Sequence, residues 1–271
     1  MIIRREMKKR NYNLIIGSVI TFVFLAAALV GQFWTPYSPT AMDYVAVNAG
    51  PSLAHPMGTD NFGRDILSRV MNGSGSTFFV AVCTVGIGAF FGTIIGAVTG
   101  YFGGWLDNLI MRVCDIILSF PSVLLALIFI SLLGPGRYNI IIALGILFIP
   151  SFARIVRSEM IRCKEQDFVK SARIMGAGNL RIIFVHILPN AKVSMLTAAA
   201  IGFNNAVLAE ASMSYLGLGI QPPEPSLGRM LSEAQSFILN APWYPLFPGI
   251  TIIVIILGFS LISEGLRALQ E

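Results

Sequence analysis

Apolar residues along this chain gather into six runs, and most of the charge lies in the stretches between them. The runs are Leu14 to Trp34, Thr77 to Phe102, Ile110 to Leu133, Asn139 to Ala153, Val193 to Leu216 and Trp243 to Leu266. Most reach 20 residues or more, the length of helix that crosses a hydrocarbon core roughly 30 Å thick. The pattern predicts six membrane-spanning helices with both termini on one side.

Punctuation within the runs sharpens this. The first follows the basic stretch Arg4 to Arg10 and ends in Phe33-Trp34-Thr35-Pro36-Tyr37, an aromatic interface belt. It exceeds the roughly 7 to 15 apolar residues of a signal peptide, so it reads as an uncleaved span. In the second run Gly88, Gly92, Gly96 and Gly100 recur every four residues and lie nearly along one helix face, predicting close contact with another backbone. Pro121 predicts a kink in the third. Gly103-Gly104 and Gly134-Pro135-Gly136-Arg137 read as short connections. Under this topology 15 of the 19 Lys and Arg fall on the side of the termini. Arg64, Arg69, Arg137 and Arg229 fall opposite, so the positive-inside rule puts both termini in the cytoplasm.

The apolar pattern breaks from Arg154 to Lys192. Phe168, Val169, Ala172 and Met175 share a face at helical spacing, Gly176 and Gly178 interrupt, and Asn179 is placed to cap a second helix. There Leu180, Ile183, Phe184 and Ile187 repeat the stripe until Pro189 stops it. This predicts a helical elbow on the inner membrane face. It reads equally as an amphipathic hairpin that closes the bundle and as an element that receives force from a cytoplasmic partner.

Composition removes whole classes. With 55% hydrophobic and 12% charged residues and a mean hydropathy of +0.74, the 271-residue chain has about half the charge of a soluble domain. That excludes a soluble globule, a disordered chain and a nucleic-acid binder. The net charge of +5 is explained by positive loops held inside. Cys83, Cys114 and Cys163 have no short spacing, and His55 and His186 stand far apart, so no metal site is expected. The sequence contains neither a phosphate-binding G-x-x-x-x-G-K-[ST] nor H-E-x-x-H.

Asp167 to Ala177, closing in Ile187-Leu188-Pro189-Asn190, resembles the EAA loop of ABC-importer permeases. Ala172 and Gly176 match that pattern, while Lys170 and Ser171 stand where the family has Glu and its first Ala. His55-Pro56-Met57-Gly58-Thr59-Asp60-Asn61-Phe62-Gly63-Arg64-Asp65-Ile66-Leu67-Ser68-Arg69 is similar to a signature of the dipeptide, oligopeptide and nickel permease subfamily. So are Tyr101-Phe102-Gly103-Gly104-Trp105-Leu106-Asp107, Met111 to Asp115, and Glu210 to Pro223. The resemblance implies an all-α polytopic membrane protein of the type I ABC-importer permease fold, the second of two different permeases in its transporter. Residues 1–75 would hold the basic segment, first span and external loop. Residues 76–266 would form the ABC transmembrane domain with its coupling loop at 154–192, and 267–271 a short tail.

The same resemblance assigns Phe168, Lys170, Ser171, Ala172, Gly176, Leu188 and Pro189 to ATPase coupling. Gly58, Asp60, Gly63, Arg64 and Asp65 go to an external gate or docking surface. Asp60 and Arg64 are placed to pair at i, i+4, with contact to substrate as the other reading. Asp115 and Glu210, costly within apolar runs, either line a pathway or pair with Arg112 or backbone donors. The expected partners are a second permease, two ATP-binding subunits carrying ATP and Mg, an external substrate-binding protein and lipid, in a bacterial cytoplasmic membrane. No cofactor is expected in this chain and no covalent chemistry. The expected function is import of di- or oligopeptides by alternating access, with nickel or a metal chelate as the alternative cargo. An intramembrane enzyme or an autonomous channel is the distant alternative.

Overall fold

The computed structural model describes residues 2–268, with side chains from residue 12 onward. The side chains of Arg4 to Arg10, and the last three residues of the 267–271 tail, therefore lie outside the described residues. Among the described residues the regular structure is helical throughout.

Helix α1 (Ile2–Phe33) packs along α10 (Trp243–Arg267), where Gly17 lies so close that an added Cβ would stand 2.7 Å from the Gly258 carbonyl. Helix α2 (Ile66–Phe102) has 37 residues, about 55 Å of helix, so it overshoots the hydrocarbon core. Its first turns occupy residues that the hydrophobic pattern left in the external loop. Asp65 caps it, accepting from the Ser68 backbone N–H at 2.8 Å and hydroxyl at 2.7 Å. The four glycines spaced by four residues form a seam against α5 (Arg137–Lys164). An added Cβ would lie 2.7 Å from Phe148 Cβ at Gly88, 2.5 Å from Phe152 Cβ at Gly92 and 2.7 Å from Met160 Cβ at Gly100; at Gly96 it would run into the Ala153 carbonyl.

The third apolar run is broken rather than kinked. Helices α3 (Gly104–Ser119) and α4 (Ser122–Leu133) meet at 94°, and Phe120 between them is extended at φ −86°, ψ 145°. Pro121 disfavours helical geometry at the preceding residue and supplies no N–H, which ends α3 there. The described residues thus hold five continuous apolar helices long enough to span, and six spans when the bent pair counts as one. Helix α5 runs past its apolar run to Lys164, so Arg154, Arg157 and Arg162 belong to a helix and not to the loop.

The elbow comprises α6 (Asp167–Ile174) and α7 (Asn179–Arg181), which continues as a wide π turn, Ile182–Ile187. Then follow α8 (Lys192–Tyr215) and short α9 (Leu227–Ala234), at the opposite end of the bundle from the elbow.

Candidate functional site

Three features stand out: the elbow, a cavity in the bundle and an ionic clasp at the far end. In the elbow α6 ends in a Schellman turn: the Gly176 N–H donates to the Arg173 carbonyl and the Ala177 N–H to the Ala172 carbonyl, both at 3.0 Å. Ala172 and Gly176 thus occupy two defined places in one turn. Gly176 takes φ +86°, a left-handed backbone that costs a β-carbon-bearing residue about 1–2 kcal/mol.

Val169, Ile182, Ile183 and Ile187 are buried against Ala97, Tyr101, Val156 and Met160 of α2 and α5, and Ala172 is buried as well. Phe168 and Leu188 pack partly against the same cluster. Met175, Leu180 and Phe184, expected on the inner stripe, face outward instead, as do Ile174 and Val185. For Phe184 and Val185 the cause is the π turn: the Leu188 N–H reaches back five residues to Ile183, which shifts the inward face relative to a 3.6-residue count. Met175 lies where the chain reverses. Lys170 and Ser171 are exposed, Lys170 standing 3.6 Å from Asp167, and Pro189 follows the π turn. Asn179 is the first helical residue and not the cap, which is Gly178; its carboxamide oxygen accepts from the Tyr101 hydroxyl at 2.9 Å.

A cavity of about 490 Å³ opens between α3–α4, α5 and α8. Its wall is apolar, with Ser122, Ser151, Asn205 and Ser212 as polar groups and no ionised side chain, His or Cys. Asp115 lies outside this wall, one turn before Leu118, which lines it. It binds Arg154 at 2.5 Å rather than Arg112, and both partners are more than half exposed. Exposed ion pairs contribute under about 1 kcal/mol, so Asp115→Asn is expected to lower the melting temperature by less than about 4 °C, read by thermal unfolding in detergent. Nearby, Asp107 makes a two-pronged contact with Arg157 at 2.6 and 2.7 Å. Glu210 is buried completely and accepts from Thr77 Oγ1 at 2.8 Å and Ser214 Oγ at 2.6 Å. Those partners make it a packing carboxylate between α2 and α8, and it does not line the cavity, although its neighbour Ala209 does.

At the far end, residues 58–65 fold into a tight turn. Gly58 (φ +76°) sits against Trp243, and Gly63 (φ +73°) against the Asp43 carbonyl, which a Cβ would strike. Asp65 caps α2 and also holds His55 Nδ1 at 2.9 Å. Asp60 and Arg64 pair at 2.6 Å, but across this turn and not along a helix. Asp60 further accepts the backbone N–H groups of Phe62 and Arg64 at 2.8 and 2.9 Å.

The rest of the clasp was not legible in the sequence. Glu233 of α9 accepts from Arg64 and Arg69 at 3.0 Å each, from Tyr244 at 3.1 Å and from Arg229 at 3.2 Å. Arg69 also lies 3.5 Å from Asp60 and is almost wholly buried. Burial acts to raise the Glu233 carboxyl, yet Arg69 and Arg64, helped by hydrogen bonds from Arg229 and Tyr244, hold it below the ordinary glutamate value. Locally Glu233 shows only its i, i+4 spacing from Arg229, because Arg69 and Arg64 lie 164 and 169 residues away.

A family model described as a binding-protein-dependent transport system inner membrane component matches residues 92–271. The dipeptide transport system permease protein DppC of Alkalihalophilus pseudofirmus is 42% identical over 259 residues, 96% of this chain and 85% of its own. The glutathione transport system permease protein GsiD of Pectobacterium atrosepticum is 38% identical, covering 95% and 86%. DppC of Haemophilus influenzae is 36% identical, covering 96% and 90%. Among solved structures, an inward-facing MetNI methionine ABC transporter superposes with a TM-score of 0.58 at 20% identity, over 73% of this chain and 96% of that one. This last likeness concerns the fold alone.

Proposed function

The chain belongs to the family of binding-protein-dependent transport system inner membrane components, and from that footing we propose that it is a permease subunit importing di- or oligopeptides. The family couples membrane subunits to ATPase and substrate-binding components. On the proposed reading this chain pairs with a second, different permease, two ATP-binding subunits carrying ATP and Mg, and an external binding protein. Its elbow and both termini face the cytoplasm, and the ionic clasp faces outward.

The observation that carries this reading is the elbow itself. Val169, Ile183 and Ile187 fasten it to α2 and α5, while Ile174, Met175 and Leu180 present an apolar knob around Gly176. Such a surface in water is costly unless a partner covers it. ATP binding draws the two engines together; the knob, seated on one of them, moves with it. The work available equals the engine's differential affinity for the two permease states. This chain does the gating and no covalent chemistry.

Peptide cargo is supported by the dipeptide and glutathione permeases it resembles over nearly its whole length, and by the cavity wall. Hydroxyl and carboxamide groups suit a peptide backbone. Nickel is less favoured, since no carboxylate, imidazole or thiol lines that wall and the Met213 thioether is its single soft donor.

Replacing Gly176 with Trp strains the turn and enlarges the knob. Expected is at least about a tenfold fall in ATP-dependent uptake of radiolabelled dialanine by proteoliposomes holding the complete transporter, with assembly intact by co-purification. Unchanged uptake overturns the coupling role. Failure of the unaltered complex to take up dialanine with ATP overturns the peptide reading.

A further inference from the structure

The Tyr101-Phe102-Gly103-Gly104-Trp105-Leu106-Asp107 stretch resembles a family signature, yet none of its residues touches the cavity or belongs to the knob. Its first residue, Tyr101, is buried at the last turn of α2 and meets the elbow from inside. Its hydroxyl donates to Asn179 Oδ1 at 2.9 Å and accepts from Arg173 Nη2 at 3.3 Å. Those two residues lie on either side of the Gly176 turn, one at the end of α6 and one at the start of α7. One oxygen therefore spans both arms of the elbow. The Tyr101 carbonyl accepts from Lys164 at 2.7 Å, and that ammonium lies 5.7 Å from the ring, which ties in the last residue of α5.

We propose that the Tyr101 hydroxyl is a positioning latch that carries elbow movement into α2 and, through the glycine seam, into α5. The proposal rests on the coupling role assigned to the elbow and names the residue through which that role acts. Apolar contacts alone allow the elbow to slide, because they are non-directional. Two hydrogen bonds converging on one buried oxygen fix distance and angle, so rotation of either arm pulls on α2. Helix α2 cannot shift alone, because Gly88 to Gly100 hold its backbone against that of α5. The two helices then move as one lever beside the cavity, part of whose wall is α5.

Tyr101→Phe tests this, since it keeps the ring and removes one oxygen. In the intact transporter in lipid, hydrogen exchange at Gly96 to Phe102 is followed before and after adding Mg and a non-hydrolysable ATP analogue, with no peptide present. The unaltered protein is expected to show a nucleotide-dependent change there, and Tyr101→Phe to reduce it about fivefold to tenfold, the scale of one hydrogen bond. The ATP hydrolysed per dialanine imported is expected to rise by a similar factor. Asn179→Ala should act alike, and the double variant no worse than either single one. Exchange and ATP per peptide both at unaltered levels in Tyr101→Phe, or additive losses in the double variant, overturn the latch. A Tyr101 that merely packs predicts that outcome. The exchange measurement needs no peptide, so it stands even where dialanine uptake fails.

Discussion

Gly92→Ile is expected to abolish the folded permease. At this position a Cβ alone would stand 2.5 Å from Phe152 Cβ and 2.8 Å from the Ile149 carbonyl, so both a side chain and a backbone must give way. Overpacking a well-packed interior costs about 1–3 kcal/mol and occasionally more. Here the seam also repeats at Gly88, Gly96 and Gly100, so parting the helices at one point loosens the others. In lipid close packing is itself the main source of helix association. Loss of the monodisperse peak in detergent, or a fall of about 10 °C or more in melting temperature, is the expected readout. Gly86 has open space where its Cβ would go, so Gly86→Ala is the matched control and should leave the melting temperature nearly unchanged.

Glu233→Gln carries the second large effect. The clasp joins three guanidinium groups, from Arg64, Arg69 and Arg229, with only two carboxylates, Asp60 and Glu233. Neutralising Glu233 leaves three cations around one acid, and Arg69 is too deeply buried to recover its charge–water contacts. Removing one partner from a buried pair costs about 3–5 kcal/mol, far above the exposed Asp115–Arg154 pair. Acid should mimic the substitution. Since the folded state holds the Glu233 carboxyl low, its stabilisation is complete above the free glutamate value of about 4.3. It disappears as the pH falls through the lower folded value. Melting temperatures measured from pH 7 down to pH 3 should therefore fall more steeply for the unaltered protein than for Glu233→Gln. Parallel curves would remove Glu233 from the clasp.

Hydrophobic periodicity located the spans because lipid leaves a helix few alternatives to a long apolar run. It misjudged their ends wherever a helix leaves the lipid. Helix α2 starts at Ile66 because Asp65 caps it, and α5 continues through Arg154 and Arg157 because Asp115 and Asp107 meet them. Pro121 marked the right place but understated the bend, since one residue cannot report how neighbouring helices hold both halves. The elbow was legible as two arms and a glycine turn. Its inward face was not, since a single π turn spoils a count made at 3.6. Asp60 and Arg64 could be paired from their spacing, whereas Arg69, Glu233 and Tyr244 are brought together only by the folded bundle.

The acid–base pairs between α3 and α5 also impose an order on the protein's birth. Asp115 leaves the ribosome 39 residues before Arg154, and Asp107 leaves it 50 residues before Arg157. Asp107, buried beside Arg157, is thus made while its counter-ion is still missing, and a buried charge without its partner is expensive, whereas the exposed Asp115 costs little. Insertion of this hairpin is complete only once translation has passed Arg157, so nascent chains stalled earlier present an uncompensated acid for quality control to find.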